Sequence, residues 1–205
     1  GTGNTFTNEV DFLNTGDVTL GDATADTFAF DNGMAFTGGA ASNVAATITA
    51  AAGDANFGTG GVTLTDAGAL VTTIGGNIIF GGTLDGTVAD AQALDLASGL
   101  GDITFGGAVG TTSLGAVTIA NAANVTATGT FGAASFAQTA GTGTTDFQDA
   151  ITTTVGNFAF TGSNLTISSV NPSTIAGSMT VTNAGTFTTG ATADVTVNGG
   201  EFIQN

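Results

Sequence analysis

The sequence predicts an all-β chain wound as a parallel β-helix, a β-solenoid of roughly nine rungs. Three observations lead there. The residue palette suits a pleated surface, the apolar runs are short and alternate, and short motifs recur at spacings that fit coils. Gly, Ala and Thr number 34, 34 and 41 among 205 residues, with no Lys, Arg, His, Cys, Trp or Tyr and one Pro. A Gly-rich chain of low charge can be disordered. Here Val, Ile, Leu and Phe recur throughout and mean hydropathy is positive. The enriched Val, Ile, Thr and Phe favour strands, and the helix formers Glu, Lys, Arg and Gln are nearly absent.

The elements follow from internal repetition. Four segments align: "VTLGDATADTF" from Val18, "VTLTDAGALVT" from Val62, "VTIANAANVTA" from Val117 and "MTVTNAGTFTT" from Met179. Val-Thr-Leu places two apolar side chains on one face of a strand and Thr on the other. The following Asn or Asp turns the corner, because its side chain bonds local backbone and tolerates left-handed conformations. A second motif appears as "GNIIFGG" at Gly76 and "GDITFGG" at Gly101, 25 residues apart, with a looser relative "GNFAFTG" at Gly156.

Strands this short do not make stable isolated hairpins. They gain stability by stacking in register on similar strands above and below. The spacings of 25, 44, 55 and 62 fit rungs of roughly 18–25 residues, within the solenoid range. Nine rungs at ~4.8 Å give a rod of roughly 45 Å. The competing fold is an array of small β-sandwiches, which calls for longer strands and turn signals every ~8–12 residues. The 15 Phe are the only aromatic residues. They read as core, since Phe can stack from rung to rung with no polar group to satisfy.

The ends of the chain repeat its middle. Joined end to start, "EFIQN" and "GTGNTFTNEV" resemble "SFAQTAGTGTTDFQDAI" from Ser135 to Ile151. Phe202 and Gln204 fall on Phe136 and Gln138, Gly1-Thr2-Gly3 on Gly141-Thr142-Gly143, and Phe6 on Phe147, with two single-residue gaps. The expectation is a single array over residues 1–205, one segment or subunit of a longer fibre. Its head-to-tail contacts would use Gly1, Thr2, Gly3 and Phe6 at one end and Glu201, Phe202, Ile203, Gln204 and Asn205 at the other. An open contact of this kind propagates as a filament.

The stretch "GDITFGGAVGTTSLGAVTIANAANVTATGTF" from Gly101 to Phe131 resembles the β-strand repeats of very large secreted bacterial surface proteins, the haemagglutinin-like adhesins and autotransporter-type passengers. "SFAQTAGTGTTDFQDAITTTVGNFAFTGSNLTIS" resembles the same repeats. The resemblance implies a right-handed β-solenoid, export to the cell surface and a structural or adhesive role, with cell-surface glycans among the partners. It brings no catalytic residues. The complete absence of Lys and Arg departs from most such proteins.

Composition limits the chemistry. Acid–base and nucleophilic catalysis draws mainly on His, Cys, Lys and Tyr, so an enzyme is not expected. Paired carboxylates can cleave glycosides, and Asp85 with Asp90, or Asp146 with Asp149, are the candidates for a polysaccharide-cleaving alternative. Turn residues are the simpler account of them. With 14 Asp and 2 Glu the net charge is −16 and no side chain is positive, so nothing neutralises nucleic-acid phosphate. Divalent cations suit these hard oxygen ligands, and Asp17, Asp22, Asp26 and Asp31 mark a weak calcium candidate. No apolar run reaches the ~18 residues of a membrane helix, and membrane insertion is not expected.

Thr-x-Thr recurs at Thr47/Thr49, Thr63/Thr65, Thr126/Thr128, Thr180/Thr182 and Thr186/Thr188. Arrayed on one flat face, such pairs would resemble the ice-binding surface of β-solenoid antifreeze proteins. The leading expectation remains a self-stacking structural block of an extracellular filament or giant surface protein.

Overall fold

A computed structural model of the chain describes residues 3–205. Those residues form strands and turns, with no helix among them, wound as a β-solenoid of about nine coils. Every strand pairing is parallel. The stacked coils thus replace the hairpin turns that antiparallel neighbours would use.

Three ladders line the coil, and the chain visits them in strict rotation. Face 1 starts at Asn4–Phe6 and continues through Thr27–Phe30, Thr47–Ala50, Gly68–Thr73 and Ala93–Ala97. It ends at Phe158–Gly162, Met179–Asn183 and Phe202–Gln204. Face 2 runs from Val10–Phe12 to Phe187–Thr189, and face 3 from Val18–Leu20 to Val195–Val197. Two long strands, Val109–Asn121 and Phe131–Gln138, cross from face 3 to face 1 and join those ladders into one sheet. Counting each of these once on either face, the described residues make ten segments on face 1 and nine each on faces 2 and 3.

Coil length follows the registers on face 2. Ile78 pairs with Ile103, a step of 25 residues, whereas Val125 pairs with Thr145, a step of 20. Insertions therefore sit at the corners while the ladders keep their phase. Most core strands alternate inward, outward, inward, as in Ile78–Phe80 and Ile103–Phe105. The inward residues form one continuous apolar core along the rod.

Ten of the Phe are buried. Phe rings form a chain of contacts along the core: the partly buried Phe12 on Phe36 (4.4 Å), Phe57 on Phe80 (4.8 Å) and Phe80 on Phe105 (5.6 Å) are stacked. At Phe131 the geometry changes to edge-on contacts with Phe105, Phe136 and Phe147. Phe136 on Phe158 (4.8 Å) resumes the stack. Stacked and edge-on pairs are the two arrangements that ring quadrupoles favour.

Polar side chains lock the corners. Ahead of face 2, Asp54 Oδ1 accepts from the Asn77 amide (2.7 Å), Asn77 Oδ1 from the Asp102 amide (2.9 Å), and Asp102 Oδ1 from the Asn124 amide (3.0 Å). Asn124 Oδ1 then accepts from the Thr144 amide at 2.9 Å. Each side chain satisfies a backbone donor in the next coil, where the corner interrupts the strand ladder. The corner ahead of face 1 works alike: Asn157 accepts from the Ser178 amide (2.9 Å), and Ser178 Oγ from the Glu201 amide (3.3 Å).

Candidate assembly surfaces

The two ends of the rod are built from the same strands as its middle. At one end Asn4–Phe6 pairs with Thr27–Phe30, and its other edge has no partner among the described residues. At the other, Phe202–Gln204 pairs with Met179–Asn183 and likewise has one open edge among the described residues. Eight strands of face 1 lie between the two, so these segments lie at opposite ends of the rod.

Both ends show apolar surface. Phe6 is 39 % exposed, Phe202 49 % and Ile203 39 %. Phe6 stacks on Phe30 at 5.0 Å, and Phe202 meets Phe187 at 5.8 Å, so each ring has a partner on its inner side. Glu201 is the last member of the corner ladder that begins at Asn157. Like Asn157 and Ser178 it immediately precedes its face 1 strand, and it is exposed. Any further coil, from a longer chain or from another molecule, meets these edges first. Gly3, Gln204 and Asn205 are also exposed at the ends, while Gly1 and Thr2 lie outside the described residues.

The four aspartates of the calcium candidate occupy three different corners. Asp17 lies between faces 2 and 3, Asp22 and Asp26 between faces 3 and 1, and Asp31 between faces 1 and 2. Only Asp22 and Asp26 share a turn, in which Asp26 Oδ2 accepts from the Asp22 amide at 3.1 Å. Among the described residues no group of three or more acidic side chains is placed to hold a metal ion.

The carboxylate pairs are engaged in structure. Asp85 Oδ1 accepts from the Thr111 amide (2.7 Å) and hydroxyl, and Asp90 Oδ1 from the Ser113 (2.7 Å) and Thr154 (2.6 Å) hydroxyls. Asp146 accepts from Gln148 and Ser168 (both 3.0 Å), and Asp149 from Asn171 (2.7 Å). Beside Asp90, where the strand Val109–Asn121 bulges, residues that include Thr111, Thr112, Ser113, Thr130, Thr152 and Thr154 line an open groove of about 550 Å³.

The Thr-x-Thr pairs do not form one row. Thr47/Thr49 and Thr180/Thr182 lie on face 1, Thr126/Thr128 and Thr186/Thr188 along face 2, and Thr63/Thr65 along face 3. Outward Thr is distributed around the whole rod. No protein-family model, curated protein or solved structure matches the chain.

Proposed function

We propose that this chain is a structural building block of an extracellular filament or giant cell-surface protein and that it stacks head to tail on copies of itself. The observation that supports this is the uninterrupted parallel stacking of like coils on one apolar core, which a further coil, from a longer chain or from another copy, continues. Among the described residues the first and last strands of face 1 each have one edge without a partner, with Phe6 and Phe202 half-exposed beside the core. Such an edge is a ready template for another strand, and opposite ends of one rod give a contact that does not close on itself. The surface location rests on the resemblance of Gly101–Phe131 to repeats of secreted surface proteins. The adhesive part of the reading falls on the groove beside Asp90, where the Thr112, Thr130 and Thr152 side chains are of a type that can donate to or accept from a glycan.

Electron microscopy of the purified chain tests the reading. The expected result is unbranched rods many times longer than ~45 Å, thickening into bundles when calcium screens the net charge of −16 and separating again with a chelator. Single particles at every concentration would remove self-stacking. Indifference to calcium and chelator would leave the carboxylates as a solubilising coat.

A further inference from the structure

Midway along the rod, two consecutive coils carry insertions where face 3 leads into face 1. Residues 110–113 stand between Val109 and Leu114, where the next coil has only Gly132. One coil earlier, residues 87–92 lead from Leu84–Gly86 to Ala93–Ala97, against three residues after Val62–Leu64. The regular ladder gives way here, and Leu84 with Val109 is all that pairs between those two strands. Asp90 (φ +63°) and Gly110 (φ +67°) take left-handed backbone in the two insertions. For a residue other than glycine that conformation is uncommon, and such positions gather at ligand sites.

Hydrogen bonds hold both insertions in place. Asp85 Oδ1 accepts from the Thr111 and Thr112 amides at 2.7 and 3.2 Å. Gln92 is buried; its Oε1 accepts from the Val88 amide (2.9 Å) and its Nε2 donates to the Asp66 carbonyl (3.0 Å). The Asp90 amide donates to the Ser113 carbonyl at 2.8 Å, which ties one insertion to the other. Thr154, which donates to the Asp90 carboxylate, lies two coils beyond Ser113, so that bond passes over the coil of Phe131–Gln138. The groove of about 550 Å³ lies against this braced rim, within the ~300–1,000 Å³ of ligand sites. Gly132 and Thr152 are in register among its lining residues, each the outward residue between two inward ones. Gly132 leaves that place in the sheet without a side chain.

The lining selects among ligands. Among the described residues that line the groove none is charged, and the chain carries −16 with no Lys, Arg or His. That field repels anionic ligands. An extended peptide adds to an open strand edge or anchors in apolar pockets. Here Phe131–Gln138 and Ile151–Thr153 are paired on both sides, and the lining Phe131 is 1 % exposed. Thr and Ser both donate and accept, as sugar hydroxyls do. The lining comes from three successive coils, with the outer two ~9.6 Å apart, which suits a short chain of sugars better than a single ring.

We propose that this groove binds an uncharged oligosaccharide segment, held over Gly132 and Thr152 against the rim that Asp85, Asp90 and Gln92 brace. This deepens the adhesive part of the reading above and rests on it. The site is fixed before the ligand arrives, so little ordering cost falls on the protein.

Nuclear magnetic resonance of the nitrogen-15-labelled chain tests this, with maltotetraose, cellotetraose, chitotetraose and mannotetraose as uncharged probes and tetragalacturonate as the acidic one. At least one uncharged probe should shift the Gly110, Gly132 and Thr152 amides saturably, and tetragalacturonate should not. Thr152→Phe fills the groove and should raise the apparent Kd at least tenfold. Thr174→Phe, at the next outward position of the same column and outside the lining, should change it less than twofold. Thr112→Ala with Thr152→Ala removes hydroxyls without adding bulk and should weaken binding in the same direction. No shift with any uncharged probe, equal weakening by both Phe variants, or equal binding of tetragalacturonate would overturn the proposal. Filaments in the micrographs alongside any of these results would leave the stacking reading intact and remove the glycan site alone.

Discussion

Phe131→Ala is expected to cost about 3–5 kcal/mol, the range for truncating a buried Phe, read as a lower midpoint in guanidinium denaturation. Phe131 is 1 % exposed, and its ring touches Phe105 at 5.7 Å, Phe136 at 5.6 Å and Phe147 at 5.4 Å. These three neighbours come from different coils or faces and are held by their own ladders, so the space cannot collapse cheaply. The residue is also where the stacked column turns to edge-on packing. Coils in a solenoid touch only their neighbours, so the loss divides the rod, and an early transition of the coils around Phe131 is expected. The matching change at the end, Phe202→Ala, removes a ring already 49 % exposed and should shift the midpoint far less. Equal effects would mean that the Phe column is not the centre of the core.

Gly76→Ala and Gly75→Ala should differ sharply although the residues are adjacent. A Cβ on Gly76 would stand 1.8 Å from the Gly53 carbonyl oxygen of the coil before, whereas one on Gly75 meets nothing within 4 Å. The obstruction at Gly76 is backbone, so only a shift of one coil against the next relieves it. Gly101 repeats the arrangement one coil later, its Cβ position lying 2.0 Å from the Gly76 oxygen. Gly76→Ala is expected to cost about 3 kcal/mol, the upper part of the overpacking range. Gly75→Ala should be neutral in the same denaturation series. A silent Gly76→Ala would show that the coils approach less closely there.

These two glycines also show what the sequence made readable. "GNIIFGG" and "GDITFGG" recur at 25 residues because Gly76 and Gly101 stack, Asn77 and Asp102 bond successive amides, and Ile78 pairs with Ile103. Close backbone contact, corner ladder and core register all act on the same few positions, so the motif survives as text. The longer four-copy alignment is different in kind. Val18 and Val62 begin strands on face 3, but Val117 and Met179 belong to face 1. It captured how any strand is followed by a corner, and did not mark one place in the coil.

That equivalence of the faces is also why side-chain clusters were hard to foresee. A stretch of ten residues passes a corner and enters another face. Asp17 and Asp26 therefore point from different corners although they are close in sequence, and the Thr-x-Thr pairs scatter around the rod. The converse holds for Asp90, whose hydroxyl partner Thr154 is 64 residues away yet only a few coils along. Proximity here depends on coil phase, which corners of variable length conceal. The ring chemistry needed no phase at all: wherever Phe falls in a short alternating strand, the inward position is the favourable one.

The parallel ladders have a mechanical consequence. Their backbone hydrogen bonds point along the rod, so a pull on its two ends loads the coils in series and strips the outermost strand first. Each coil holds 20–25 residues on the registers of face 2 in one ~4.8 Å step. Drawn out at ~3.3–3.6 Å per residue, that length becomes roughly 65–90 Å. Tension would therefore be met by paying out one coil at a time while the coils behind keep their packing. With no cysteine to cap the extension and no Lys, Arg or His side chain to pair across coils, the rod is a reel of stored length whose unit of release is the coil.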